Sequence, residues 1–142
     1  SNTNEDNLRK IPKILVRQTG DSIICALDNK GLLHMDTTHG LFDFKVDIHY
    51  LIGILNSKLI SYWHRAYTSE KGRAFAEVKI ANIKKIPIKL PENQEIIRIV
   101  KTIMSMPSDD VNEYEKLDTK INELVMDLYG LTEEEKEIIR NS

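Results

Sequence analysis

The apolar residues of this chain change their period once, near Asp47, and that change decides the class of fold. Before it, short β-rich runs alternate with turn signals: Lys13-Ile14-Leu15-Val16-Arg17, then Thr19-Gly20-Asp21, then Ser22 to Leu27, then Asp28-Asn29-Lys30-Gly31, then Leu32 to Met35. Three such runs joined by tight turns read as a short antiparallel meander. After Asp47, which suits an N-cap, apolar residues fall at 48, 51, 52, 55, 59, 62, 63 and 66. That is one face of a single helix reaching about Tyr67.

Thr68 to Ala74, with Gly72 inside it, reads as a polar, basic loop. Phe75 to Lys89 looks strand-like, and Pro87 confines its last part to an edge or an irregular extension. Pro91 opens a helix through about Met104, with Ile96, Ile97, Val100, Ile103 and Met104 on one face and Pro107 beyond its end. A longer helix runs from about Asp110 to Tyr129 and stops at Gly130, and Thr132 with Glu135 forms a capping-box pattern for a last short helix. The predicted fold is α+β: a small, mostly antiparallel sheet with one packed central helix, followed by C-terminal helices. The predicted organisation is a disordered segment over 1–10, an α+β domain over 11–91, and a helical region over 92–142 packing on it.

In the long helix Tyr114, Leu117, Ile121, Leu124 and Leu128 step by three and four, a heptad seam. Such a seam either packs on the sheet or the preceding helix, or pairs with a helix from elsewhere. The second reading would make the chain a protein-interaction module.

Charge divides the chain at nearly the same place as secondary structure. Residues 8–91 hold fourteen Lys/Arg against seven Asp/Glu, and residues 92–142 hold six against thirteen. The near-neutral total of −2 therefore joins a basic two-thirds to an acidic, helical third. A basic surface attracts a polyanion, and an acidic one is repelled by it, so the pattern suggests one part facing DNA and one facing protein.

The 41% apolar content of the 142 residues suffices for a core and argues against wholesale disorder. The single cysteine, Cys25, sits in the run Ile23-Ile24-Cys25-Ala26-Leu27 and reads as a buried, reduced thiol. One cysteine allows neither a disulfide framework nor a cysteine-based zinc site, so a cytoplasmic location is expected. No apolar run approaches the roughly 20 residues that span a bilayer, so no membrane partner is expected. The opening Ser1-Asn2, without methionine, reads as the remnant of a cleaved tag.

A search for catalytic chemistry finds little. His34, His39, His49 and His64 have no metal-ligand spacing, no Ser or Cys has the context of an activated nucleophile, and there is no phosphate loop or dinucleotide fingerprint. Glu77-Val78-Lys79 is half of a metal-dependent nuclease pattern, and it would need Asp43 or Asp47 brought close to Glu77. The expectation is no catalytic residue, no metal site and no cofactor in this chain.

The nucleic-acid reading rests on predicted loops bearing Arg17-Gln18-Thr19, Thr37-Thr38-His39 and Lys71-Gly72-Arg73. Arg and Gln can make bidentate contacts to guanine and adenine edges, while Thr and Lys suit methyl, sugar and phosphate contacts. Lys79, Lys84 and Lys85 add positive charge of the kind that meets phosphates. The DNA-binding candidates are Arg17, Gln18, Thr38, His39, Lys71, Arg73 and Lys79.

The order of these segments resembles a known family. Lys13 to Gly20, the hairpin through Asp28, the helix bearing Tyr50-Leu51 and Leu55-Asn56-Ser57-Lys58-Leu59, a Gly/Arg/Phe loop, and Asn82-Ile83-Lys84-Lys85-Ile86-Pro87-Ile88 follow one another. Together they look like the TaqI-like C-terminal specificity domain of bacterial type IIG restriction enzymes and adenine-specific DNA methyltransferases. The closing Leu128-Tyr129-Gly130-Leu131-Thr132 is similar to the end of such enzymes, so the resemblance spans roughly residues 11–138. It implies a target-recognition domain that reads double-stranded DNA, largely from the major groove. A separate domain of the same polypeptide would bind S-adenosylmethionine and methylate a flipped adenine, and Mg2+ would serve any domain that cleaves. The resemblance leaves Asn56 and Ser57 to packing and helix bonding, and Phe75 to the core.

Overall fold

The computed structural model describes residues 11–17, 19–31, 38–41, 45–68 and 76–142, with residues 38, 39 and 41 described by their backbone. The predicted tail over 1–10, the strand Leu32–Met35, and Gln18, Asp43, Lys71, Gly72, Arg73 and Phe75 lie outside the described residues. The architecture is α+β, as the pattern of periods predicts.

Three strands form one antiparallel sheet: β1 (Lys13–Arg17), β2 (Cys25–Asp28) and β3 (Thr38–Leu41), in the order β2-β1-β3. The third strand of the predicted meander, Leu32–Met35, lies outside the described residues, whereas β3, which no predicted run covers, completes the described sheet. Its first strand sits in the middle, pairing from Lys13↔Asp28 to Val16↔Cys25 on one side and from Ile14↔Leu41 to Arg17↔Thr38 on the other. Ile14 and Val16 of β1 are wholly buried, on the face of the sheet that meets the core. Lys13 is also wholly buried and pairs at 3.5 Å with Asp28 directly across the sheet, as a buried charge requires.

The single helix predicted to run to Tyr67 is two. Helix α1 (Ile48–Leu55) is capped by Asp47, whose carboxylate accepts from His49 N at 2.8 Å and Tyr50 N at 3.4 Å. Helix α2 (Lys58–Thr68) begins after a break at Asn56-Ser57. The Ser57 hydroxyl donates to Ile54 O at 2.7 Å and accepts from Ile60 N at 3.3 Å, ending one helix and starting the next. Freed from the helix, Asn56 reaches the outer edge of β2, accepting from Cys25 N at 2.7 Å and donating to Cys25 O at 3.1 Å. One amide thus stands in for a neighbouring strand on an edge that no other strand among the described residues pairs with. The apolar period cannot register such a break, because it runs unchanged through both helices.

The strand predicted over Phe75–Lys89 is replaced by a single bridge, Thr19↔Glu77, and a turn of helix, α3 (Ile80–Ile83). Residues 87–90 are extended and held by two tyrosines. Tyr129 donates its hydroxyl to Pro87 O at 2.8 Å and accepts from Lys89 N at 3.1 Å, while the Tyr50 hydroxyl donates to Lys89 O. Burial pushes the Tyr50 phenol up to about 12.

Helix α4 (Glu95–Ser105) starts four residues later than Pro91, behind an Asn93 side chain that accepts from Glu95 N at 2.9 Å. Helix α5 (Val111–Leu128) is capped by Asp110 and ends before Gly130, whose φ of +72° favours glycine. Helix α6 (Glu133–Arg140) carries the predicted Thr132–Glu135 capping box. One apolar cluster runs from Ile14 and Val16 through α1 to Ile97, Val100 and Val125. Its tightest point is Gly53, where a Cβ would lie 2.8 Å from Ile96 Cγ2 and 3.1 Å from Ile121 Cδ1. The heptad seam packs inward: Ile121 and Leu128 are buried, and Leu117 and Leu124 pack against the same cluster. Only Tyr114, at the start of the seam, stays exposed, beside Leu27 and Met104 on a cleft of about 400 Å³.

Candidate nucleic-acid interface

Three segments far apart in sequence meet at one end of the sheet. The last residue of β1, Arg17, pairs with the first residue of β3, Thr38, and Val16 pairs with His39. Beyond Arg17 the chain turns, and Thr19 bridges Glu77 while Gly20 N donates to Ala76 O at 2.9 Å. This places Lys79 two residues from the sheet end, as the N-cap of α3.

Thr38 and His39 thus belong to a strand rather than to the predicted loop, and Lys79 caps a helical turn rather than lying on a strand. Arg17 and Lys79 are exposed. Gly20, at φ +109°, leaves room for the Arg17 guanidinium, since a Cβ there would lie 2.8 Å from Arg17 Nη2. Among the described residues neither Arg17 nor Lys79 is ion-paired with a carboxylate. Gln18, Lys71 and Arg73 lie outside the described residues, and Lys71 and Arg73 precede Ala76 by only five and three positions.

Arg65 belongs to the same region, though the apolar period of its helix gives no hint of this. Its Nη1 donates to Ser22 Oγ at 3.3 Å, joining the last turn of α2 to the β1–β2 connection. The first turn of α2 meets the same connection, where Ser61 Oγ accepts from Ile23 N at 3.1 Å, and it also touches the acidic helices. Lys58 N donates to Asn122 Oδ1 at 2.8 Å in α5, and Lys58 Nζ to Arg140 O at 3.3 Å in α6.

The other candidate chemistry has structural duties. Asp47, one partner a nuclease would have needed, caps α1, and hydrogen bonds to the His49 and Tyr50 amides help hold its carboxyl below the usual range despite some burial. Among the described residues no three His, Cys, Asp or Glu side chains gather as a metal site. Cys25 is buried, and that burial pushes its thiol up to about 12, which makes it inert at neutral pH. Among the described residues no helix is long and apolar enough to cross a membrane.

Residues 1–88 match the model of the TaqI-like C-terminal specificity domain. The chain belongs to that family. A TaqI-like domain is a specificity domain of restriction-modification enzymes, not a catalytic one. The matched span contains β1 to α3 and all seven candidate residues. Helices α4 to α6, with the Tyr129-Gly130-Leu131-Thr132 turn, lie beyond it. No curated protein matches the chain.

Proposed function

We propose that this chain is the non-catalytic part of a bacterial, cytoplasmic restriction-modification enzyme or N6-adenine DNA methyltransferase that reads double-stranded DNA by sequence. One observation carries the reading. The end of β1, the start of β3 and the segment before α3 meet: Arg17 pairs with Thr38, Thr19 bridges Glu77, and Arg17 and Lys79 are exposed.

In this reading Lys79, Lys71 and Arg73 meet phosphates and fix the register, while Arg17, Gln18 and Thr38 face base edges. The strand register sets His39 opposite wholly buried Val16, on the other face of the strand from Thr38. Each good bidentate contact is worth about 1–3 kcal/mol of discrimination. The other wall of the cleft is a catalytic domain of the same polypeptide. It uses S-adenosylmethionine, with Mg2+ if it also cleaves, as in type IIG enzymes. Alone, the chain has half of the grip and binds duplex DNA mainly through phosphates.

The rival reading, an interaction module, loses its main element because most of the seam is packed inside the molecule. The test is a salt titration of the 142-residue chain with random-sequence duplex. Log affinity falls linearly with log salt, and Arg73→Ala reduces the slope by about 0.9. Binding independent of salt, or no binding at any salt, contradicts the proposal.

A further inference from the structure

The last two turns of α2 carry an aromatic stack of which the apolar period assigns only Trp63 to the core. Trp63 and Tyr67 are one helical turn apart, with ring centroids at 4.8 Å and planes within 8° of parallel. Trp63 is partly buried against the core, so it fixes the stack, whereas Tyr67 is 51% exposed. Lys85 Nζ lies over the Tyr67 ring, 5.5 Å from its centre. The backbone of Lys85 is itself held, by buried Ile83 and Ile86 on either side and by its N–H donating to Asn82 O at 3.1 Å.

A surface lysine normally samples many rotamers and must give them up to hold a ligand. Here the attraction of an ammonium for an aromatic face restrains that freedom in advance and leaves N–H groups directed outward. Lys84, beside it, is also exposed and, among the described residues, not ion-paired with a carboxylate. The stack is linked to the candidate interface through α3, which runs from Lys79 at its N-cap to Lys84 at its C-cap, next to Lys85.

We infer that Trp63, Tyr67 and Lys85 form a preorganised phosphate clamp on duplex DNA. Lys85 Nζ and the Tyr67 hydroxyl donate to phosphate oxygens, and Trp63 is the rigid base beneath them. The inference rests on the DNA-reading proposal, and it adds a backbone contact on the flank of the sequence-reading end. It concerns affinity and register, not base choice, since none of the three groups need reach a base edge.

Trp63 is the chain's one tryptophan, so its emission reports on the stack directly. The 142-residue chain is titrated with random-sequence duplex while its fluorescence and the salt dependence of binding are followed. Trp63 emission is expected to change along the binding isotherm, and Lys85→Ala to lower the salt slope by about 0.9 while Lys85→Arg keeps it. Tyr67→Phe, which keeps the ring stack, weakens binding without changing the thermal midpoint. Salt-dependent binding in which Trp63 emission does not move and Lys85→Ala keeps the full slope overturns the clamp while leaving the DNA-reading proposal standing. Absence of salt-dependent binding in the unsubstituted chain overturns both.

Discussion

The helical third and the open end of the sheet use charge differently: Lys120, Lys136 and Arg140 are ion-paired in the first, although Arg98, Lys101 and Lys116 there are exposed and, among the described residues, not ion-paired with a carboxylate. In the first, Arg140 alone serves three carboxylates, Glu123 at 2.6 Å, Glu133 at 3.0 Å and Glu137 at 3.1 Å, and Lys136 pairs with Asp127. At the second, Arg17, Lys79 and Lys84 are exposed and, among the described residues, not ion-paired with a carboxylate. Yet β1 holds both kinds of cation within five residues, since Lys13 is buried against Asp28 while Arg17 faces outward. The division is therefore not one of sequence region alone. A cation stabilises the fold where the fold supplies its carboxylate, and the proposed DNA contact concerns only those at the sheet end that it does not pair.

The largest effect that could break this contrast is at Asp28. Asp28→Ala leaves Lys13 as a buried charge without that carboxylate, and unfolding by denaturant should show a loss of about 3–5 kcal/mol. A loss below about 1 kcal/mol would mean that water reaches Lys13 and that its burial is overstated. Next is Asn56→Ala, which strips β2 of its stand-in neighbour. It should cost about 1–2 kcal/mol and raise amide exchange at Cys25, and no change in exchange would remove the edge-covering role.

At the outward end, Arg17→Ala should leave stability within about 0.5 kcal/mol, because the side chain is exposed and makes no ion pair among the described residues. A larger loss would place Arg17 among the structural cations.

The smallest effect is acid sensitivity in the helical third. The Arg140 guanidinium, hydrogen-bonded to Glu123, holds that carboxyl below the ordinary Glu value of 4.5. A carboxyl lowered in the folded state stabilises the protein above 4.5, and that contribution disappears as pH falls through the lowered value. The thermal midpoint should fall slightly over that window, and Arg140→Ala should flatten this part of the acid response. An unchanged response in the variant would leave the network without thermodynamic weight.

Periodicity made the helical third legible because each boundary there carries a local chemical mark. Asp110, Gly130 and the Thr132–Glu135 box act within one turn of their own positions. The sheet was harder, because centring β1 depends on a partner at Thr38–Leu41 that no local pattern announces. The break at Asn56 was invisible for a related reason: it answers to Cys25, thirty-one positions away. Among candidate contacts, Arg17 and Lys79 could be named from residue chemistry. Their approach through Thr19 and Glu77, and the link from Arg65 to Ser22, depend on tertiary pairing alone.

The account turns on whether the outward cations, and not the helical ones, hold DNA. The direct measurement compares salt slopes for random-sequence duplex in two double variants of the chain, Arg17→Ala/Lys79→Ala and Lys116→Ala/Lys120→Ala. Removing the first pair should lower the slope by about 1.8, and removing the second pair should leave it unchanged. Equal losses in both variants, or a loss confined to the helical pair, would contradict the account.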